Sequence, residues 1–263
     1  MRVYEIPEGS KISKGRAIQN LINIESDDKV KAFICTQDLK NEDYINDHFV
    51  IMCTKKGQVK KTSLEQYSRP RSNGINAITI KDDDELLEAK LTNGNSQILI
   101  AVKSGKCIRF EENKTRPMGR NASGVRGVRL KDQKDEVVGM ISVNDMDSDI
   151  LVVSENGYGK RSKLEDYRIT NRGGKGVKTI SITEKTGNLV SLKNVSDGDD
   201  LMIINKSGIA IRMEVNTLRV MGRATQGVRL INIKDNDSIA AVAKVVLDDQ
   251  EVTDIEEIDV VED

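Results

Sequence analysis

Basic side chains recur in four loops of the sequence, and clustered basic side chains attract anions. Each loop ends at a glycine, and the four glycines (Gly74, Gly124, Gly176 and Gly227) are spaced 50, 52 and 51 residues apart. One Lys or Arg in a loop usually does no more than keep that loop solvated. Cations at equivalent positions of four loops indicate a shared binding surface, and duplex DNA, with one charge every ~1.7 Å of its axis, is a regular anion that such a surface can track.

The candidate DNA-binding residues are the cations of these loops and of the strands beside them, together with the glycine-rich segment 173–176. By repeat unit they are Lys60, Lys61, Arg69 and Arg71; Arg109, Lys114, Arg116, Arg120 and Arg126; Lys160, Arg161, Arg172, Gly173, Gly174, Lys175 and Gly176; and Arg212, Arg219, Arg223 and Arg229. Glycines let the main chain approach a phosphate closely and form an anion-binding concavity. If equivalent loops lie around one rim, several of them together offset the ~1–6 kcal/mol that bending 20–30 bp of DNA costs.

The residue types that catalysis needs are sparse and unfavourably spaced. His48 is the only histidine, and its neighbours Asp47 and Phe49 belong to no nucleophile motif. No Gly-Lys pair has the spacing of a Walker A loop, and the three cysteines lack metal-type spacing. We therefore predict that this chain alone is not an enzyme, has no catalytic residue, metal site or cofactor, and keeps its cysteines reduced.

The basic loops belong to a repeat of about 50 residues. Four complete units each begin with a short apolar strand, at 49–53, 98–102, 150–153 and 201–204. A glycine turn, a return strand, the basic loop, a strand that opens at the second glycine, and a last apolar strand follow. Four strands per unit, without a long segment of 3.6-residue period, predict an all-β propeller of four-stranded blades.

We divide the chain into a β domain, residues 1–247, and a tail, residues 248–263. The complete repeats are 49–96, 97–148, 149–200 and 201–247, and a partial repeat occupies 1–48. Within the partial repeat we expect strands at 2–6, around 18–24 and at 30–33, with an inserted loop at 37–48.

Charge is distributed unevenly along the chain. The net charge is −1, but residues 248–263 hold nine acids and no Lys or Arg, which leaves 41 bases against 33 acids in the rest. We expect this acidic tail to be disordered, and to act either as an internal competitor for the basic surface or only as a solubilising end. No apolar run approaches the ~18 residues of a membrane span, so we expect a cytoplasmic protein without a membrane partner.

Two segments carry a resemblance to a known family. Residues 119–130 (Gly-Arg-Asn-Ala-Ser-Gly-Val-Arg-Gly-Val-Arg-Leu) and 156–161 (Asn-Gly-Tyr-Gly-Lys-Arg) resemble the C-terminal domain of the bacterial DNA gyrase A subunit. Residues 170–176 match the last five positions of that family's box, Gln-Arg-Arg-Gly-Gly-Lys-Gly, with Thr-Asn in place of the leading Gln-Arg. The likeness extends from residue 2 to about residue 246.

The resemblance implies a six-bladed β-pinwheel, here incomplete with about five of six repeats, whose rim wraps DNA. It also implies the partners: duplex DNA in the nucleoid, the gyrase B subunit, and the rest of the gyrase A subunit, in an A2B2 heterotetramer. That holoenzyme introduces negative supercoils with ATP and Mg²⁺ bound elsewhere and with a catalytic tyrosine from a region that is not in this sequence. The alternatives are the equivalent domain of the topoisomerase IV A subunit, or a propeller scaffold for acidic protein partners.

Overall fold

The computed structural model describes residues 3–10, 14–22, 24, 28–71, 73–234 and 237–246, which form four antiparallel β-sheets. The expected all-β class is therefore confirmed. The described helices are short: α1 spans Glu42–Asp47, and 3-10 turns lie at Val3–Glu5, Ile18–Asn20, Leu64–Tyr67, Glu112–Lys114, Leu164–Asp166 and Val215–Thr217. None of these helices is long and apolar enough to cross a membrane.

Fifteen strands lie in the described ranges. In chain order they are β1 (Phe49–Thr54), β2 (Gln58–Ser63), β3 (Leu86–Thr92), β4 (Gln97–Val102), β5 (Lys106–Glu111), β6 (Val125–Arg126), β7 (Val137–Val143), β8 (Asp149–Ser154), β9 (Tyr158–Lys163), β10 (Val177–Lys178), β11 (Leu189–Val195), β12 (Asp199–Asn205), β13 (Ala210–Glu214), β14 (Val228–Arg229) and β15 (Ile239–Val246). The sheet orders are β3-β1-β2-β6, β7-β4-β5-β10, β11-β8-β9-β14 and β15-β12-β13.

Each of the first three sheets takes its outer strand from the next repeat. β6 pairs with β2, β10 with β5 and β14 with β9, whereas the sequence predicted four strands from one unit. The glycine before each short strand explains the exchange: Gly124 has φ +86°, and a Cβ there would lie 2.6 Å from the Val59 carbonyl oxygen, so only glycine lets the chain approach β2 this closely. In the fourth sheet the described residues supply three strands.

Neighbouring sheets pack face to face through the alternate faces of their central strands, as the two-residue period of a strand requires. In β4, Ile98 and Ile100 pack toward the first sheet with Ile51, and Leu99 packs toward the third sheet with Val152. All five side chains are completely buried. Burying an aliphatic side chain contributes roughly 1.5–3 kcal/mol, so the contacts between sheets stabilise the stack of repeats.

The strands expected in the partial repeat are wrong where the structure describes them. Val3–Glu5 and Ile18–Asn20 are 3-10 turns, residues 30–33 form no strand, and the inserted loop contains α1. The apolar residues of this segment do not form strands, because a strand needs a hydrogen-bonded neighbour. Val3 remains 83% exposed. The predicted tail lies outside the described residues.

Candidate nucleic-acid interface

Three of the four basic loops have the same attachment to the preceding sheet. We define them as the second loop (117–124), the third loop (169–176) and the fourth loop (220–227). Each begins at a parallel bridge to a return strand: Lys61 with Pro117, Arg109 with Ile169 and Arg161 with Val220. Each is followed by the two-residue strand that pairs with the same return strand, so both ends of each loop are fixed at one edge of a sheet.

One arginine in each of these loops makes the same hydrogen bond. The Nη1 groups of Arg120, Arg172 and Arg223 donate to main-chain carbonyls 44–46 residues earlier: those of Asn76 at 3.5 Å, Arg126 at 3.1 Å and Lys178 at 2.8 Å. A guanidinium has five N–H donors, so most of them are left for another ligand. The three arginines, all partly exposed, therefore occupy equivalent positions in successive units.

The third loop contains the glycine-rich segment, and it is hydrogen-bonded to main-chain carbonyls of the preceding unit. Gly173 (φ +80°) donates its N–H to the Gly127 carbonyl at 2.6 Å, and Arg172 Nε donates to the Lys114 carbonyl at 2.9 Å. The Gly173 N–H is thus used within the fold. Gly174 and Gly176 are partly exposed, and the exposed Lys175 between them supplies the charge of the segment.

Most of the other predicted cations are exposed. This set comprises Arg69, Arg71, Lys114, Arg116, Arg126, Arg212, Arg219 and Arg229. Two of them already have partners: Arg212 Nε lies 2.6 Å from an Asp200 carboxylate oxygen, and Arg229 donates to the Tyr158 hydroxyl at 2.9 Å. The hydrogen bond from Arg229 lowers the pKa of Tyr158.

Five predicted cations on the return strands are instead inside the protein. Lys60, Lys61, Arg109, Lys160 and Arg161 are each at most 8% exposed. Two of them join neighbouring units: Lys61 Nζ lies 3.6 Å from the buried Glu112 carboxylate, and Arg109 Nη1 donates to the Leu164 carbonyl at 2.6 Å. Arg161 pairs with Asp197 of its own unit.

Burial lowers the pKa values of Arg109, Lys60 and Lys160, those of the two lysines to about 8. Because their side chains are buried within the fold, these five cations do not belong to the exposed basic surface.

Sequence reasoning missed Lys178, which is exposed on β10. It stands where Arg126 stands on β6 and Arg229 on β14, directly after Gly-Val in all three units. That Gly-Val-base repeat is visible in the sequence and was sufficient to find it.

Four stacked antiparallel sheets of repeated connectivity, with basic loops at equivalent edges, define a β-propeller domain. The family described as "DNA gyrase C-terminal domain, beta-propeller" matches residues 1–37, 48–93, 97–144, 148–196 and 199–245. The chain belongs to this family.

The relatives are A subunits of DNA gyrase. The chain is 44% identical to the DNA gyrase A subunit of Staphylococcus aureus strain MRSA252, over 100% of this chain and 29% of that protein. The same identity holds for the protein of S. aureus strain NCTC 8325, over 98% of this chain and 28% of that protein. The chain thus spans less than a third of the length of these relatives.

Solved structures share the fold. A DNA gyrase A C-terminal domain superposes with a TM-score of 0.78 at 25% identity, covering 94% of this chain and 78% of the other. The C-terminal domain of a DNA topoisomerase IV superposes with a TM-score of 0.83 at 24% identity, covering 93% and 74%.

Proposed function

We propose that this chain binds duplex DNA without sequence preference along the edge formed by its basic loops, and wraps it. The equivalent attachment of Arg120, Arg172 and Arg223 in successive units is the observation that carries the proposal. Charges repeated from sheet to sheet suit the repeated phosphates of a duplex, and contacts to phosphates carry no sequence information.

Exposed cations of the basic loops and of the short strands would add further phosphate contacts to this interface. They include Arg71 in the loop that ends at Gly74, Lys175 in the third loop, and Arg126 and Lys178 on the short strands. Aromatic residues make up only 3% of the chain, which disfavours single-stranded DNA because such proteins stack bases on aromatic rings.

We further propose that the domain serves a type IIA topoisomerase, as part of a DNA gyrase A subunit. Its partners would then be the rest of that polypeptide and a gyrase B subunit, with ATP and Mg²⁺ bound outside this chain, and the assembly would introduce negative supercoils. The 44% identity to gyrase A subunits favours gyrase. The structural likeness to topoisomerase IV concerns the fold, and that enzyme stays the alternative.

The salt dependence of binding tests the proposal. The double variant Arg172→Ala/Lys175→Ala should weaken binding to two labelled duplexes of unrelated sequence by the same factor, because both side chains would contact phosphates. The slope of log K against log salt should become shallower by ~1.8, since each lost phosphate contact contributes ~0.9. Fluorescence anisotropy over a series of salt concentrations measures both quantities.

The matched control is Lys134→Ala/Lys206→Ala, which removes the same charge from exposed turns outside the basic loops. Its salt slope should equal that of the unmodified chain. A slope unchanged in the Arg172→Ala/Lys175→Ala variant, or a loss confined to one of the two sequences, would contradict the proposal and favour a scaffold that binds acidic proteins.

A further inference from the structure

Two buried lysines stand at a position where the neighbouring sheets have isoleucine. Lys60 lies opposite Met52 in the first sheet, and Lys160 lies opposite Val152 in the third. The same register position holds Ile108 in the second sheet and Ile211 in the fourth. An ammonium group at the centre of a sheet is costly to bury unless its hydrogen bonds are satisfied, so its presence in alternate sheets requires a reason.

Both ammonium groups donate to main-chain carbonyls of the basic loops. Lys60 Nζ donates to the Arg120 carbonyl in the second loop and, at 2.5 Å, to the Ala77 carbonyl. Lys160 Nζ donates at 2.5 Å to the Gly222 carbonyl in the fourth loop. In the two loops, the accepting carbonyls are those of an interface arginine and of the residue directly before one.

The third loop makes the equivalent connection without a lysine. Gly127 is the counterpart of Ala77, since each lies three residues after the second glycine of its unit. The Gly127 carbonyl accepts the main-chain N–H of Gly173, whose φ of +80° directs that N–H inward. Beneath this loop lies Ile108, and a Cβ on Gly174 would meet its Cδ1 at 3.4 Å.

The second and fourth loops lack this glycine pair. Asn121 and Ala224 occupy the position of Gly173, and neither has a positive φ. Their main chain therefore does not make the inward turn of Gly173, and the lysine side chain spans the gap instead. Lysine thus accompanies the second and fourth loops, which both contain Met-Gly-Arg (118–120 and 221–223), and isoleucine accompanies the third loop with its Gly173-Gly174 pair.

We propose that Lys60 and Lys160 are positioning residues for DNA binding, which hold the second and fourth basic loops from inside so that Arg120 and Arg223 face the duplex. This inference rests on the function proposed above. It assigns the two lysines no contact with DNA, in agreement with exposures of 0% and 1%.

The variant Lys160→Ile tests the inference, because Ile108 and Ile211 show that the fold accepts isoleucine at this register position. In Lys160→Ile, main-chain amides of residues 220–227 should exchange hydrogen faster, as followed by mass spectrometry. DNA affinity should fall by about the same factor as in Arg223→Ala. The double variant Lys160→Ile/Arg223→Ala should bind no more weakly than either single variant, because the lysine acts through the loop that carries the arginine.

Lys193→Ile is the matched control, since Lys193 lies in the same sheet on β11, at the edge opposite β14. It should leave both the exchange of residues 220–227 and DNA affinity unchanged. Additive losses in the double variant, or unchanged exchange in Lys160→Ile, would overturn the inference.

The hydrogen-exchange result does not depend on DNA. If the unmodified chain failed to bind duplexes, the proposed function would fall, while exchange would still report whether Lys160 holds the fourth loop. Should Lys160→Ile not fold, Lys60→Ile in the first sheet provides the same test on the second loop, residues 117–124. Faster hydrogen exchange there supports the inference, and unchanged exchange overturns it.

Discussion

Lys160 keeps a titratable ammonium group inside the third sheet. Burial lowers its pKa from the ordinary 10.5 to about 8, the positive charge of Arg223 acts in the same direction, and the carboxylate of Asp166 acts against it. The hydrogen bond to the Gly222 carbonyl offsets part of the cost of this burial. The residue thus changes charge in the weakly alkaline range instead of far above it.

This shift predicts an unusual pH dependence of stability. Between pH 8 and 10.5 the unfolded chain binds more protons at Lys160 than the folded chain, so the contribution of this residue to the free energy of unfolding rises with pH over that range. The unmodified chain should therefore gain stability relative to Lys160→Ile from pH 8 to 10.5, as measured by urea unfolding at successive pH values. Parallel pH profiles for the two proteins would contradict the buried ammonium.

At this scale the sequence predicted charges but not their burial. The glycine spacing correctly grouped Arg120, Arg172 and Arg223, which make equivalent hydrogen bonds. Lys60 and Lys61 looked no different in the sequence from Arg69 and Arg71. Whether a base on a strand is covered depends on tertiary contacts, and neither composition nor spacing within one unit specifies them.

The two-residue strands β6, β10 and β14 are the elements that place the basic loops. Each follows a glycine of positive φ that approaches the preceding return strand closely. The sequence predicted the hairpins, because a glycine turn between apolar runs is a local signal. It did not predict that each short strand pairs with the return strand of the preceding unit. A strand at a fixed spacing can pair with the return strand of its own unit or with that of the preceding unit.

Gly176→Ala should therefore destabilise the fold strongly. Gly176 has φ +69°, and a Cβ there would lie 2.4 Å from the Cys107 carbonyl oxygen, so β10 could not stay in place beside β5. The left-handed conformation alone costs an alanine ~1–2 kcal/mol, and the clash adds to that.

Gly198→Ala is the control, because Gly198 has no positive φ and a Cβ added there would meet nothing within 4 Å. It should change the free energy of unfolding by no more than ~0.5 kcal/mol. Urea unfolding measures both variants, and equal effects would show that the close approach of Gly176 does not matter for stability.

On the scale of the molecule, repetition places equivalent cations in successive units. The central strands β4 and β8 each face one neighbouring sheet with their even positions and the other with their odd positions, so the units stack in a regular series. The loops between units follow the same series, and so do their arginines. Under the proposed function, a single basic loop would bind DNA weakly, whereas a series of such loops would bend it because several sets of phosphate contacts offset the bending energy.

The linking number of a closed circular plasmid relaxed by a type I topoisomerase in the presence of this chain tests the wrapping most directly. After protein removal, the topoisomer distribution should be shifted by the unmodified chain and should return almost to the protein-free distribution with Arg120→Ala/Arg172→Ala/Arg223→Ala. An unshifted distribution at a concentration where the chain saturates the DNA, or an equal shift by the triple variant, would contradict DNA wrapping by the basic loops.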